Sequence, residues 1–320
     1  MDEGDRELFE RSIRHACETH SGAPLDLVLD ELGWHEALSE DARTAISFLF
    51  EFQGTANATS SAIDAVLGSA LGLKTRPPTA VVLPALGEWR APGEIVGGEL
   101  SIRGLWTASL PDRATASVAA RCDGGERILE VATADLVLRP VQGIDPDLGL
   151  VEVTGDGIPA GTDRALVTGE WSRAVGLAQL AVGHELVGAA RAMLELARGH
   201  ALERIQFGQP IGRFQAVRHR LADTLVAIEA ADAALGAAWE ERSPEAAAMA
   251  KALAGHGART AARHCQQVLA GIGFTTEHDL HRYVRRVFVL DQLLGAGRTL
   301  TRNLGDELLA TRRLPALPPL

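Results

Sequence analysis

Arg204, Phe207 and the chain-breakers Gly208, Pro210 and Gly212 form a compact set with chemical reach. Arginine offers a rigid, permanently charged fork, and phenylalanine a flat apolar face. A planar cation beside an aromatic ring at a helix end suits a ring cofactor that carries phosphate. A helix–helix corner with a solvated arginine fits the same residues. Further along, Gln267 precedes Gly271-Ile-Gly273. Backbone amides after a helix end can hold a phosphate without any side chain, and the same glycines read as a helix stop followed by a loop. Glu277, His278, Asp279 and His281 come next, an acid–imidazole cluster of metal-ligand types. We read it as a cap and packing cluster and assign no metal.

Long helices must position these residues. Leu177, Leu180, Val182, Leu186, Val187, Met193, Leu194 and Leu196 run along a first one from Glu170. A second is expected from about Arg213 to Glu240, with Phe214, Val217, Leu221, Leu225 and Ile228 on one face. Ser243-Pro244-Glu245 opens a third with an N-cap, a first-turn proline and an acid at the positive dipole end; it stops at Gly271. A fourth is expected near Thr276, capped by that hydroxyl, with Asp279 three residues on. Four long helices with short loops read as an antiparallel bundle over 169–320, with a frayed or draped tail at 314–320. Upstream, 1–73 reads as helices, Ser39 capping the segment from Glu40. At Lys74 the composition shifts to short Val-rich runs. Residues 80–83, 99–103, 116–120, 127–131, 135–138 and 149–153 read as strands of an antiparallel sheet or small barrel within 74–168. Gly97-Gly98 and Gly124-Gly125 read as hairpin turns.

The 320 residues have room for two or three compact units. A formal charge of −11 argues against an obligate nucleic-acid binder. Cys17, Cys122 and Cys265 lie far apart, which points to neither a disulfide framework nor a zinc site. The first residues are charged and lack an apolar leader core, and no apolar run reaches membrane-spanning length. A cytoplasmic protein with no membrane or nucleic-acid partner is expected.

Two stretches, Arg204 to Asp223 and Gln267 to Arg286, resemble the signatures of the acyl-CoA dehydrogenase family and lie in the family's order. Leu32-Gly-Trp-His35 resembles its Leu-Gly-Trp helix end, and Gly104 to Ala108 its tryptophan strand. The resemblance is close from about residue 170 to 298 and weaker before that. It implies an α+β, mainly α fold: an N-terminal helical domain (1–73), a middle β-domain (74–168) and a C-terminal four-helix bundle (169–320). It implies FAD-dependent α,β-desaturation of an acyl-CoA thioester, in which a carboxylate takes the α proton and FAD the β hydride. By resemblance, Arg204 and Phe207 reach the FAD of a neighbouring subunit. Gln267, Gly271 and Gly273 match the residues that meet its pyrophosphate region across the interface.

Three departures stand out. Ala270 replaces the first of paired glycines. Between residues 74 and 98 there is no Thr-Glu, Gly-Ser-Asp loop of the kind that holds the flavin ring in the family. Both family base positions lack a carboxylate: counted from Phe274 the position is Leu294, and counted from Phe207 it is Ala178. Leucine and alanine cannot accept a proton. Asp291 and Glu185 are the nearby substitutes, and each also reads as an ordinary surface or interhelix acid. The resemblance therefore implies a base-lacking short subunit, on the plan of actinobacterial steroid-degrading enzymes. A longer subunit would supply the base and the thioester pocket, in an α2β2 or homo-oligomeric assembly. Two alternatives stay open: a self-sufficient flavoenzyme with a relocated carboxylate, and a flavin-free structural or regulatory relative.

Overall fold

A computed structural model describes residues 3–73, 80–107, 113–160 and 163–312. The composition shift at Lys74, Ala108 of the tryptophan strand and the tail at 314–320 fall outside them. The chain opens with five helices: α1 (Glu3–Thr19), α2 (Ala23–Glu31), α3 (Trp34–Glu40), α4 (Ala42–Ala56) and α5 (Ala62–Ala70). Asp41, not Ser39, caps α4; its carboxylate accepts from Thr44 N at 3.1 Å. Ser39 lies inside α3, where its hydroxyl donates back to His35 O at 3.1 Å. The break falls at Asp41, whose φ of −142° and ψ of 76° leave the helical region.

Nine strands follow: β1 (Ala80–Val81), β2 (Leu83–Pro84), β3 (Gly93–Val96), β4 (Glu99–Trp106), β5 (Thr115–Cys122), β6 (Gly125–Ala132), β7 (Val137–Pro140), β8 (Val151–Pro159) and β9 (Asp163–Ala165). They form one open sheet in the order β7-β8-β4-β3-β5-β6-β9, with β1 beside β5 and β2 beside β4. The sheet is mixed, because β1 and β3 both pair with β5 in parallel. This corrects the antiparallel expectation: β5 pairs with β3 rather than returning beside β4, a choice that strand patterning does not encode. The strand expected at 135–138 starts at Val137, after a 3₁₀ turn at Thr133–Asp135. Both glycine pairs do sit at hairpin turns, between β3 and β4 and between β5 and β6. One face of the sheet closes a small core around Leu100, Trp106, Val118 and Val153. Leu83, Leu105, Ala119 and Ile128 join the helical core instead.

The rest is helical: α6 (Glu170–Glu203), α7 (Gln215–Glu241), α8 (Pro244–Leu269), α9 (Leu280–Gln292) and α10 (Gly297–Thr311). Ser243 caps α8 as expected, accepting from Ala246 N at 3.1 Å. The fourth arm is not one long helix but two short ones, broken at Leu293–Ala296. Its start is also later than expected. Asp279 is the N-cap residue and makes no side-chain cap bond, because a 3₁₀ turn at Ala270–Phe274 takes up the preceding chain. On α7 the buried stripe runs through Thr224 and Ile228, while Leu225 is 47% exposed. Thr224 can be buried because its hydroxyl bonds Arg220 O at 2.8 Å and His264 Nδ1 at 3.0 Å. Helices α4 and α6 cross at backbone contact: a Cβ at Gly54 would lie 2.0 Å from Glu185 O, and one at Gly188 2.0 Å from Glu51 O. That crossing fixes the N-terminal helices against the bundle.

Candidate functional site

Where α6 ends, the chain makes a minimal hairpin of β10 (Ile205–Gln206) and β11 (Gln209–Pro210). Its two turn residues, Phe207 and Gly208, have φ of 53° and 77°. Positive φ at both central positions is the type I′ turn, which asparagine and glycine favour. Phenylalanine there is strained, and its ring is 92% exposed, edge-on to Phe214 at 6.1 Å. Arg204 terminates α6, its N–H donating to His200 O at 2.9 Å and its carbonyl accepting from Ile211 N at 2.8 Å. Its side chain is exposed and forms no ion pair among the described residues.

The second motif reaches the same end of the bundle. Helices α6 and α8 run parallel, with Gly176 against Ala247 near their starts, so both C-terminal ends emerge together. Burial lowers the pKa of His200 at the end of α6, and the charges of His278 and Arg204 push the same way. Gln267 and Gly271 are exposed. A Cβ at Gly271 would meet open space, whereas one at Gly273 would lie 2.9 Å from Leu269 Cβ. Gly273 is thus fixed by packing, and Gly271 is free to face a ligand. Ala270 adopts φ 53° and ψ −132°, a conformation that suits the glycine it replaces. The acid–imidazole cluster is spent locally: His278 Nδ1 accepts from Leu280 N at 3.1 Å, and His281 Nδ1 lies 2.8 Å from His278 O. A free guanidinium, a projecting aromatic ring and an open glycine turn fit a planar, phosphate-bearing cofactor.

The two candidate base positions, read separately from the sequence, lie on segments that touch in the fold. Gln179 Nε2 donates to Leu294 O at 2.9 Å. Ala178 and Leu294 are both fully buried, and Leu294 holds φ 56°. Asp291 does not join them. Its carboxylate pairs with Arg259 and packs between Gly255 and Gly297. Lys251 Nζ donates to Asp291 O at 2.6 Å and to Gly295 O, clamping the α9–α10 break. Burial brings the Lys251 ammonium down to about 7. Glu185 is buried two turns along α6, where desolvation raises its carboxyl to about 7 against the pull of Arg286. Arg286 Nη1 is 3.8 Å away, and its Nε bonds Asp145 Oδ2 at 2.5 Å.

Lys251 and Arg286 were not singled out from the sequence. The signal for Lys251 was its position within the apolar run Ala247, Ala250, Ala254 and Ala258, in a chain with only one other lysine, Lys74. Glu51, His184 and Asp232 are the one metal-type grouping among the described residues. Arg191 already pairs with Glu51 and Asp232. Trp239 donates its indole N–H to His184 Nε2 at 3.1 Å. The neutral ring therefore carries its proton on the buried Nδ1, which leaves no lone pair there for a metal.

Comparison with known proteins identifies the C-terminal helices. The family described as acyl-CoA dehydrogenase, C-terminal domain, matches residues 172–309. Those residues form an acyl-CoA dehydrogenase C-terminal domain. Acyl-CoA dehydrogenase IpdE2 of Mycobacterium tuberculosis is 41% identical over 130 residues, which make up 41% of this chain and 41% of that protein. Acyl-CoA dehydrogenase FadE34 of the same organism is 38% identical over 188 residues, 56% of this chain and 26% of that protein. The matches therefore span less than half the length of these curated relatives. The acyl-CoA dehydrogenase fold extends over the whole chain. The steroid ACAD Tcur3481-Tcur3483 superposes with a TM-score of 0.79 at 22% identity, covering 97% of this chain and 99% of that one. The ChsE4-ChsE5 complex from Mycobacterium tuberculosis gives 0.71 at 24% identity, covering 98% and 89%. No described helix is long and apolar enough to cross a membrane.

Proposed function

We propose that the chain is the base-lacking subunit of a heteromeric, FAD-dependent acyl-CoA dehydrogenase that desaturates a thioester between its α and β carbons. The observation that carries this reading is that Ala178 and Leu294 are both buried and both lack a carboxylate, where α6 meets the α9–α10 break through Gln179. Neither of those two side chains can take a proton. Bound FAD supplies a two-electron acceptor for the β hydride. Toward it this chain offers the Arg204 fork for a phosphate oxygen, the Phe207 ring as apolar cover, and Gln267 with the Gly271 turn for the pyrophosphate region. A longer partner supplies the α-proton carboxylate and the thioester pocket. The fold likeness to a steroid ACAD and to a two-component ChsE4-ChsE5 complex supports the heteromeric plan and a steroid-derived or similar acyl group.

Glu185 favours a second reading, a relocated base. It is a buried carboxyl with a value near 7 and an Oε1 that lacks a hydrogen-bond partner. Its neighbour Arg286 and its distance along α6 from Ala178 weigh against it. The test follows flavin absorbance under anaerobic conditions on adding a panel of acyl-CoA thioesters. Bleaching is expected only when the chain is mixed with a longer partner, and is lost when the partner's own glutamate becomes glutamine. Leu294→Glu in the chain alone leaves activity absent, since an acid placed in that apolar site stays protonated. Bleaching by the isolated chain that disappears in Glu185→Gln or Asp291→Asn would reverse the assignment.

A further inference from the structure

A cavity of about 410 Å³ lies at the seam between the α3–α4 corner and the bundle. Its floor is apolar, with Leu177 and Leu180 from α6, Ala238 and Trp239 from α7, and Pro244 and Ala247 from α8. Its rim carries three arginines, Arg43, Arg173 and Arg242, against two acids, Glu40 and Asp41. Most of those charges are not equally available. Asp41 is engaged as the cap of α4, and Arg43 pairs with Glu240. Arg173 and Arg242 form no ion pair among the described residues. The first turn of α8 opens into the same space at Ser243, beside the C-terminal end of α7, so the two helix dipoles offset each other there and the arginines carry the charge. Among the described residues, Arg173 and Arg242 are thus the two cations at the mouth without an ion-pair partner, over an apolar, partly aromatic floor. The volume lies in the range of small-molecule sites, which runs from about 300 to 1,000 Å³.

We propose that this cavity binds a small amphipathic anion. Arg173 and Arg242 hold a carboxylate or phosphate-monoester head, and a compact aryl or short alkyl body lies on Trp239 and Leu180. The site is separate from the cofactor motif. From Arg173 to Arg204 along α6 is about 45 Å at the helical rise. Contact with the floor has a reporter, because the Trp239 ring stacks on His184 at 6.5 Å and its N–H is committed to that ring.

The experiment titrates the purified chain, and the chain with its partner subunit, with phenylacetate, phenyl phosphate and neutral phenylacetamide. Calorimetry and tryptophan emission are both read. Saturable binding of either anion with a Kd of about 1 mM or tighter is expected, with a change in emission and no binding of the amide. Which anion binds names the head group. Arg173→Gln and Arg242→Gln should each weaken it about tenfold. Trp239→Phe should keep calorimetric binding and lose the emission change, and Arg204→Ala should leave binding intact. Circular dichroism melts confirm that each variant is folded. Equal binding of the amide, undiminished binding in the folded Arg173→Gln/Arg242→Gln double variant, or no binding of either anion would overturn the proposal.

Discussion

Lys251 shows how one side chain can couple helix geometry to pH. Its ammonium is enclosed by α8 and the α9–α10 break, donating to Asp291 O and Gly295 O. Burial takes it from 10.5 to about 7, with Asp291 opposing that shift and Arg259 adding to it. Between those values the unfolded chain holds a proton that the folded chain does not, so stability rises with pH across the window. Lys251→Met lacks this rise. Urea midpoints at the two ends of the window check it, and parallel pH profiles for variant and wild type would refute it. Cys17 and Cys265, both pushed up to about 12 by burial, act in the opposite sense above 9 and cancel in the comparison. Ala270 supplies a second test. Its φ of 53° and ψ of −132° should cost about 1 kcal/mol or more. Ala270→Gly is therefore expected to stabilise, measured by chemical denaturation. A loss of about 0.5–1 kcal/mol, the ordinary glycine penalty, would show that no such strain exists.

Among the elements, the hairpin after α6 and the turn after α8 are the pair on which the proposed cofactor binding rests. Arg204→Ala should weaken FAD retention in the assembled complex about ten- to hundredfold, the value of a hydrogen bond to a charged group. Arg213→Ala, one short 3₁₀ turn away, should not. Flavin content after dialysis decides, and equal loss in both variants would remove Arg204 from the site. These motifs were readable because their cues are local: breakers after a helical run, a serine–proline start at Ser243, an arginine beside an aromatic. The same local reading went wrong where a neighbour in space decided. Leu225 lost its place in the buried stripe to Thr224, because His264 of α8 offered that hydroxyl a partner. The parallel pairing of β3 with β5 depends on a strand that comes later in the chain. Spacing arithmetic found Ala178 and Leu294 separately, but only the packing of α6 against the α9–α10 break put them together.

For the molecule as a whole, unpartnered apolar surface argues for assembly. Phe207, Phe274, Ile205 and Leu202 are exposed at the end of the bundle that carries the hairpin, and Leu225, Val226, Met249 and Leu253 along α7 and α8. Surface of this kind marks contact sites when it is contiguous. Light scattering at micromolar concentration should give an oligomer, alone or with the longer partner; a monomer mass in every mixture would contradict this. Arg286, only 1% exposed, has a different consequence, for how the chain can be cut. It bonds Asp145 from the loop between β7 and β8 and the backbone carbonyl of Ala58 after α4, while Glu185 of α6 sits beside it. Removing the strands takes Asp145 away from Arg286 inside the bundle, and breaking a buried pair typically costs about 3–5 kcal/mol. A fragment beginning at Glu170 should therefore be aggregated or molten rather than an excisable module.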